Sequence, residues 1–127
     1  MQSTNLINEH EQSLEPSVTS CLENVGISRL SEWDILAFVY RHGTSLTNPG
    51  QIALLIGYED AVVAGTLDQL ERQKLIERSR ASQGVHFYRI VASTNVGRQR
   101  GLQQLISLAE TRAGRLLLAK HLKPVVG

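Results

Sequence analysis

The sequence predicts an α+β fold that is mostly helical, on three observations. Asn48-Pro49 opens a helical pattern that Gly57 closes, and Glu59 or Asp60 opens the next one almost at once. Two strand-like segments, 75–80 and 85–91, then flank a short loop at 81–84. From Thr94 or Asn95 to about His121 a single long apolar stripe follows. Two helices followed directly by a hairpin is the order of a winged helix-turn-helix, here with a long C-terminal helix. The expected divisions are an N-terminal tail and short helix at 1–26, the winged unit at 27–93, and a dimerisation helix with its tail at 94–127.

Residues 1–14 are polar and lack a clean period, so a frayed tail is expected. Pro16 suits the first turn of a helix in which Val18, Cys21 or Leu22, and Val25 share a stripe, with Gly26 as its stop. Ser31 reads as the N-cap of the next helix, with Asp34 in a capping-box-like position. Ile35, Leu36, Phe38 and Val39 give that helix its apolar side, Trp33 packs at a core edge, and Gly43 ends it. Thr44 to Leu46 has room for a very short strand.

In the Pro49 helix, Ile52, Leu55 and Ile56 are the expected buried side, and Gly57 supplies a left-handed turn. In the helix after it, Val63, Leu67 and Leu70 have the spacing i, i+4, i+7 and should face the core, completed by Leu75. That leaves Glu59, Ala61, Val62, Gly65, Asp68 and Gln69 nearer the outside. Gly65 costs its helix about 1 kcal/mol relative to Ala, which close approach to another backbone would explain.

In the hairpin, Ile76, Arg78 and Arg80 share one face of the first strand. His86, Tyr88 and Ile90 share a face of the second, across a Ser82-Gln83-Gly84 turn. Both faces carry apolar residues, so the pattern leaves open which one is buried. The final helix places Leu102, Leu105, Ile106, Ala109, Ala113, Leu116 and Leu117 on one broad stripe, with Ala109, Ala113 and Gly114 small enough for another helix to come close. The pattern points to packing against a symmetry mate, with a fold back onto its own domain as the alternative.

At 127 residues, with 42% apolar and 20% charged residues, the chain suits one soluble domain. No apolar run approaches the roughly 20 residues that span a bilayer, and the N-terminus lacks the basic start of a secretory signal. Cys21 is the only cysteine, which excludes an internal disulfide and fits the cytoplasm. The net charge of +1 hides an asymmetry. Residues 1–74 hold ten acids and four bases, for −6, and residues 75–127 hold nine bases and two acids, for +7. The basic part begins where the wing begins and would meet a polyanion first.

Catalytic and metal chemistry are not expected. His10, His42, His86 and His121 are scattered, with no Cys or carboxylate at ligand spacing. No phosphate-binding glycine loop and no nucleophile elbow occurs. Cys21 lies in a helical apolar stripe, as a small core residue does. The expectation is a non-enzyme with no cofactor.

From Leu30 to Arg98 the chain resembles the MarR-type winged-helix transcription regulators. The segments that carry the resemblance are SEWDILAFVYRHG, NPGQIALLIG, VVAGTLDQLERQKLIERS, the hairpin, and TNVGR. Leu67 to Ile76 is similar to the end of the family's recognition helix leading into the first wing strand. Thr94 to Arg98 looks like the step into its dimer helix. The resemblance implies a homodimer that places one recognition helix per subunit in adjacent major grooves of double-stranded DNA, and a small-molecule effector of unknown identity. On this reading Ala61, Val62, Gly65 and Gln69 face the major groove. Arg78, Arg80, Gln83, His86 and Arg89 belong to the wing, Arg89 having the alternative of pairing with an acid in the fold. Arg98 and Arg100 reach flanking phosphates, and residues 98–121 carry most of the dimer contact.

One departure from the family opens a second reading. Where relatives commonly carry Ser, Thr and Arg on the outward side of the recognition helix, this chain has Ala61, Val62, Ala64 and Gly65 behind Glu59 and Asp60. Carboxylates there favour the helix but repel phosphates. The alternative is a winged-helix protein–protein interaction module with weak or lost DNA binding, docking through Glu59, Asp60, Val62 and Gly65.

Overall fold

The computed structural model describes residues 18–42, 48–79, 86–92 and 94–124. In chain order the elements are α1 (residues 18–25), α2 (Leu30–His42), α3 (Pro49–Ile56), α4 (Asp60–Arg72), β1 (Ile76–Arg78), β2 (Tyr88–Ile90), α5 (Val96–Leu108) and α6 (Arg112–His121). They fall into two compact units. Met1–Ser28 with Thr94–Lys123 is one, and Arg29–Ser93 with Pro124–Gly127 is the other.

The second unit is a winged helix-turn-helix: α2, α3 and α4 packed on one another, with β1 and β2 as an antiparallel pair. Helix α2 starts earlier than its cap signal suggests. The Glu32 carboxylate turns back to accept from the Arg29 backbone N–H at 2.9 Å, so Ser31 lies buried in the first turn and is not the N-cap. Helix α3 follows its sequence signals closely. The Asn48 side chain accepts from the Gln51 N–H, the Gln51 side chain answers at the Asn48 N–H, Pro49 occupies the first turn, and Gly57 stops the helix at φ +90°. Its buried side is Ile52 and Ala53, whereas Leu55 is 67% exposed. Eight residues offer only a narrow inward stripe, and 52, 53 and 56 define it.

The ladder pairs Ile76 with Ile90, Glu77 with Arg89, and Arg78 with Tyr88. Ile76 and Tyr88 are buried while Glu77 and Arg89 are exposed, so the inward face is the one shared by Ile76, Tyr88 and Ile90. The pairing continues past β1 and β2: the Ser79 N–H donates to the Phe87 carbonyl at 2.9 Å, and the Phe87 N–H to the Ser79 hydroxyl at 2.8 Å. The expected short strand at Thr44 to Leu46, the loop at 81–84 and the tail at 1–14 lie outside the described residues.

The first unit contains α1, α5 and α6. Val18, Cys21, Leu22 and Val25 are all buried on α1, as their spacing predicts. Gly26, at φ +91°, closes that helix, with its N–H and that of Ile27 both donating to the Leu22 carbonyl. Gly101 of α5 sits so close to α1 that an added Cβ would come within 3.1 Å of the Cys21 carbonyl oxygen. The expected continuous C-terminal helix is two helices. Thr111 caps α6 by accepting from the Gly114 N–H at 3.0 Å. Arg115 reaches back to the Ala109 carbonyl at the end of α5, at 3.0 Å. Gly114 makes the break possible, since a Cβ there would fall on the Leu108 carbonyl. The small residues that suggested close approach of a partner helix thus serve, at Gly114, a turn within the chain.

Candidate nucleic-acid interface

Helix α4 is the second helix of the helix-turn-helix. Val63, Thr66, Leu67 and Leu70 are buried on one side. Ala61, Ala64, Gly65, Asp68 and Gln69 are exposed on the other, with Val62 half-buried between them. This is the outward set that the spacing predicts, and Ala61, Val62, Gly65 and Gln69 are brought together along one helix. An added Cβ on Gly65 would meet nothing within 4 Å, so no packing among the described residues calls for glycine there.

The helix is held at both ends. Before it, the Tyr58 hydroxyl donates to the Asp34 carboxylate, tying the α3–α4 turn to α2. Burial raises the Asp34 carboxyl above its ordinary range, against the opposing pull of the Tyr58 hydrogen bond. Burial, followed by the hydrogen bond to Asp34 and that carboxylate's charge, raises the Tyr58 hydroxyl so far that it stays a donor. After α4, the Leu75 N–H donates to the Leu70 carbonyl and the Lys74 N–H to the Glu71 carbonyl, a Schellman arrangement. Lys74 takes the left-handed position at φ 59°, where glycine is usual. These contacts were not foreseen from sequence. Only the apolar residue at 75 signalled the second.

Both described wing arginines lie beside a carboxylate. Arg78 lies 3.9 Å from Glu71 of α4, and a cleft of about 420 Å³ between them is lined by Asp68, Glu71, Arg72 and Arg78. Tyr88 borders the same charges: burial and then Glu71 raise its hydroxyl pKa, and Arg78 opposes them. Arg89 pairs with Glu77 across the strands, the acid partner that its alternative reading anticipated. His86 is half-buried, its Nδ1 2.8 Å from the Ser79 carbonyl oxygen. Arg80 and Gln83 lie outside the described residues.

Arg98 and Arg100 belong to the other unit, in the first turns of α5, which Asn95 caps by accepting from the Arg98 N–H at 3.1 Å. Arg98 is half-buried, its Nη2 3.7 Å from where a Gly26 Cβ would be, and Arg100 is exposed. The seven residues of the expected dimer stripe divide. Leu102, Leu105, Ile106 and Ala109 are buried within the single chain, which removes them from any free face. Ala113 and Leu116 stay exposed, Leu116 at 63%, and Leu117 is half-exposed. The reason is the break at 109–111, which changes the direction of the stripe where α5 ends.

In the same unit a groove of about 620 Å³ is lined by Val18, Cys21, Arg100, Gln103, Gln104 and Leu108, among others. The Cys21 thiol donates to the Gln104 Oε1 at 2.8 Å. Among the described residues no three His, Cys, Asp or Glu side chains gather as metal ligands do, and no helix is long and apolar enough to cross a membrane.

Residues 25–84 match the model of the MarR family. The match spans α2 to the start of the hairpin, and the winged helix-turn-helix of this chain is similar to that of the MarR family. Solved structures agree in fold. The DNA complex of MepR from Staphylococcus aureus superposes with a TM-score of 0.60 at 20% identity, covering 91% of this chain and 94% of that one. MepR itself, a transcription regulator of the multidrug efflux pump MepA of that organism, gives 0.56 at 19%, covering 88% and 82%. The heme sensor PefR from Streptococcus agalactiae, in complex with heme, gives 0.53 at 15%, covering 91% and 76%. No curated protein matches the chain in sequence.

Proposed function

We propose that this protein is a DNA-binding transcriptional regulator that acts as a homodimer, with α4 in the major groove and the wing on the backbone or minor groove. The observation that carries the reading is a winged helix-turn-helix whose second helix has one side buried and the other open among the described residues. MepR, similar in fold over nearly the whole chain, has been solved on DNA. In this reading Arg72, Lys74 and Arg80 supply phosphate contacts near the wing, and Arg98 and Arg100 supply flanking ones. Ala113, Leu116 and Leu117 contribute to the contact with a second copy. The groove beside Cys21 is large enough for a small-molecule effector, and PefR, with the same fold, carries heme. The reading places the protein in the cytoplasm and assigns it no catalysis.

Footprinting of the purified chain on DNA upstream of its own gene tests the proposal. Two protected half-sites centred about one helical turn apart, roughly 34 Å, are expected of a dimer using one recognition helix per subunit. Uniform cleavage at saturating protein contradicts it.

A further inference from the structure

Resting on the DNA-binding reading, we infer that α4 selects an A·T core in each half-site: Gln69 pairs with an adenine, and Ala61, Val62 and Ala64 contact thymine methyl groups. The major groove distinguishes bases by a fixed chemistry. Guanine is read by Arg or Lys at its O6 and N7, adenine by Asn or Gln at its N6 and N7, and thymine through its methyl by apolar side chains. From Asp60 to Glu71 the exposed side of α4 carries no base at all. The first basic residue is Arg72, in the last turn, and its Nε is turned back to the Asp68 carbonyl at 3.4 Å. Ahead of it, the stretch that holds Ala61, Val62, Ala64, Gly65 and Gln69 brings no guanine reader to the groove.

Gln69 is exposed and lies on the line of Val62 and Gly65, two turns on from the first and one from the second. It is the one amide in that outward set, and an amide can both donate and accept, as adenine's edge requires. Gly65 fits the same account. No described residue fills the space where its side chain would be, yet glycine weakens the helix. A bare backbone there lets α4 sit deep enough for short Ala and Val side chains to reach the methyl groups. The carboxylates of Asp60 and Asp68 on the same helix work against non-specific attraction, leaving discrimination to these contacts.

Selection from a random duplex pool with the full chain, at moderate salt, tests this. The expected half-sites have an A·T core. Deoxyuridine in place of a core thymine removes only the methyl group and should weaken binding about fourfold per contacted methyl. Gln69→Ala should lose about fivefold or more for A·T at one position and level the preference there. Gly65→Leu should raise Tm by a few degrees and weaken the selected site about tenfold or more. A guanine-rich core, or an A·T core indifferent to deoxyuridine and to Gln69→Ala, would overturn the inference while leaving DNA binding intact. Binding to no duplex at all would overturn the functional reading itself, and the inference with it.

Discussion

At the scale of single residues, α4 is positioned by groups that titrate or strain. Asp34 has a folded pKa raised above the ordinary 3.8, mainly by burial. A raised carboxyl binds its proton more readily folded than unfolded, so its contribution favours the native state on acidification. That contribution is fully present below 3.8 and is lost as pH rises through the folded value. Urea unfolding of the wild type and of Asp34→Asn across pH 4 to 7 should show the wild type gaining on the variant as pH falls. A gap between them that does not change with pH removes Asp34 as the source. Lys74 holds a left-handed backbone that costs an L-residue about 1 kcal/mol. Lys74→Gly should therefore raise stability by up to about 1 kcal/mol in a denaturant titration, and a loss would mean that the lysine side chain contributes more than the strain costs.

At the scale of elements, the hairpin holds its own charge in check. Glu77 engages Arg89, and Glu71 lies near Arg78. Glu77→Gln should release Arg89, tighten duplex binding several-fold and steepen the salt dependence by up to about one unit of slope. Unchanged affinity and slope would place β1 and β2 away from the phosphates. The α5–α6 junction depends on a glycine whose Cβ would strike the Leu108 carbonyl. Gly114→Ala should cost about 2 kcal/mol or more, read as a lowered Tm.

How far these elements could be read from sequence follows from the kind of signal each carries. Helix α3 was legible because Asn48, Pro49, Gln51 and Gly57 are local signals, each complete within one turn. The inward side of α4 was legible because Val63, Leu67 and Leu70 keep a helical period. The α5–α6 break was not, because the apolar spacing runs on through Ala109 and Ala113 while the cap rests on Thr111 and Gly114 alone. The start of α2 was hidden because Glu32 caps a backbone N–H at Arg29, a residue with no capping side chain of its own. The buried face of the hairpin was undecidable because Ile76 and Phe87 both read as inward. Of the candidate interface, the outward face of α4 was legible. The pairing of Glu71 and Glu77 with wing arginines was not, because it depends on tertiary placement and strand register.

At the scale of the whole molecule, a fold similar to that of MepR presents an α4 whose exposed side is apolar and acidic. The proposed function requires a second copy, and the exposed apolar residues of α6 are where that is tested. Leu116→Glu, at a position 63% exposed, should leave the fold intact but shift the mass in solution from dimer to monomer. Half-site DNA would then be bound at the expense of full sites, and an unchanged dimer would move the contact away from α6.

The proposed specific DNA binding is tested by fluorescence anisotropy of the full chain against its own upstream duplex and a scrambled duplex across a salt series. Tighter binding to the upstream DNA at moderate salt is expected, with a difference that survives as non-specific binding fades. Equal binding to both, vanishing together with salt, would contradict it. Absence of binding even at low salt would favour a docking role for the acidic face of α4.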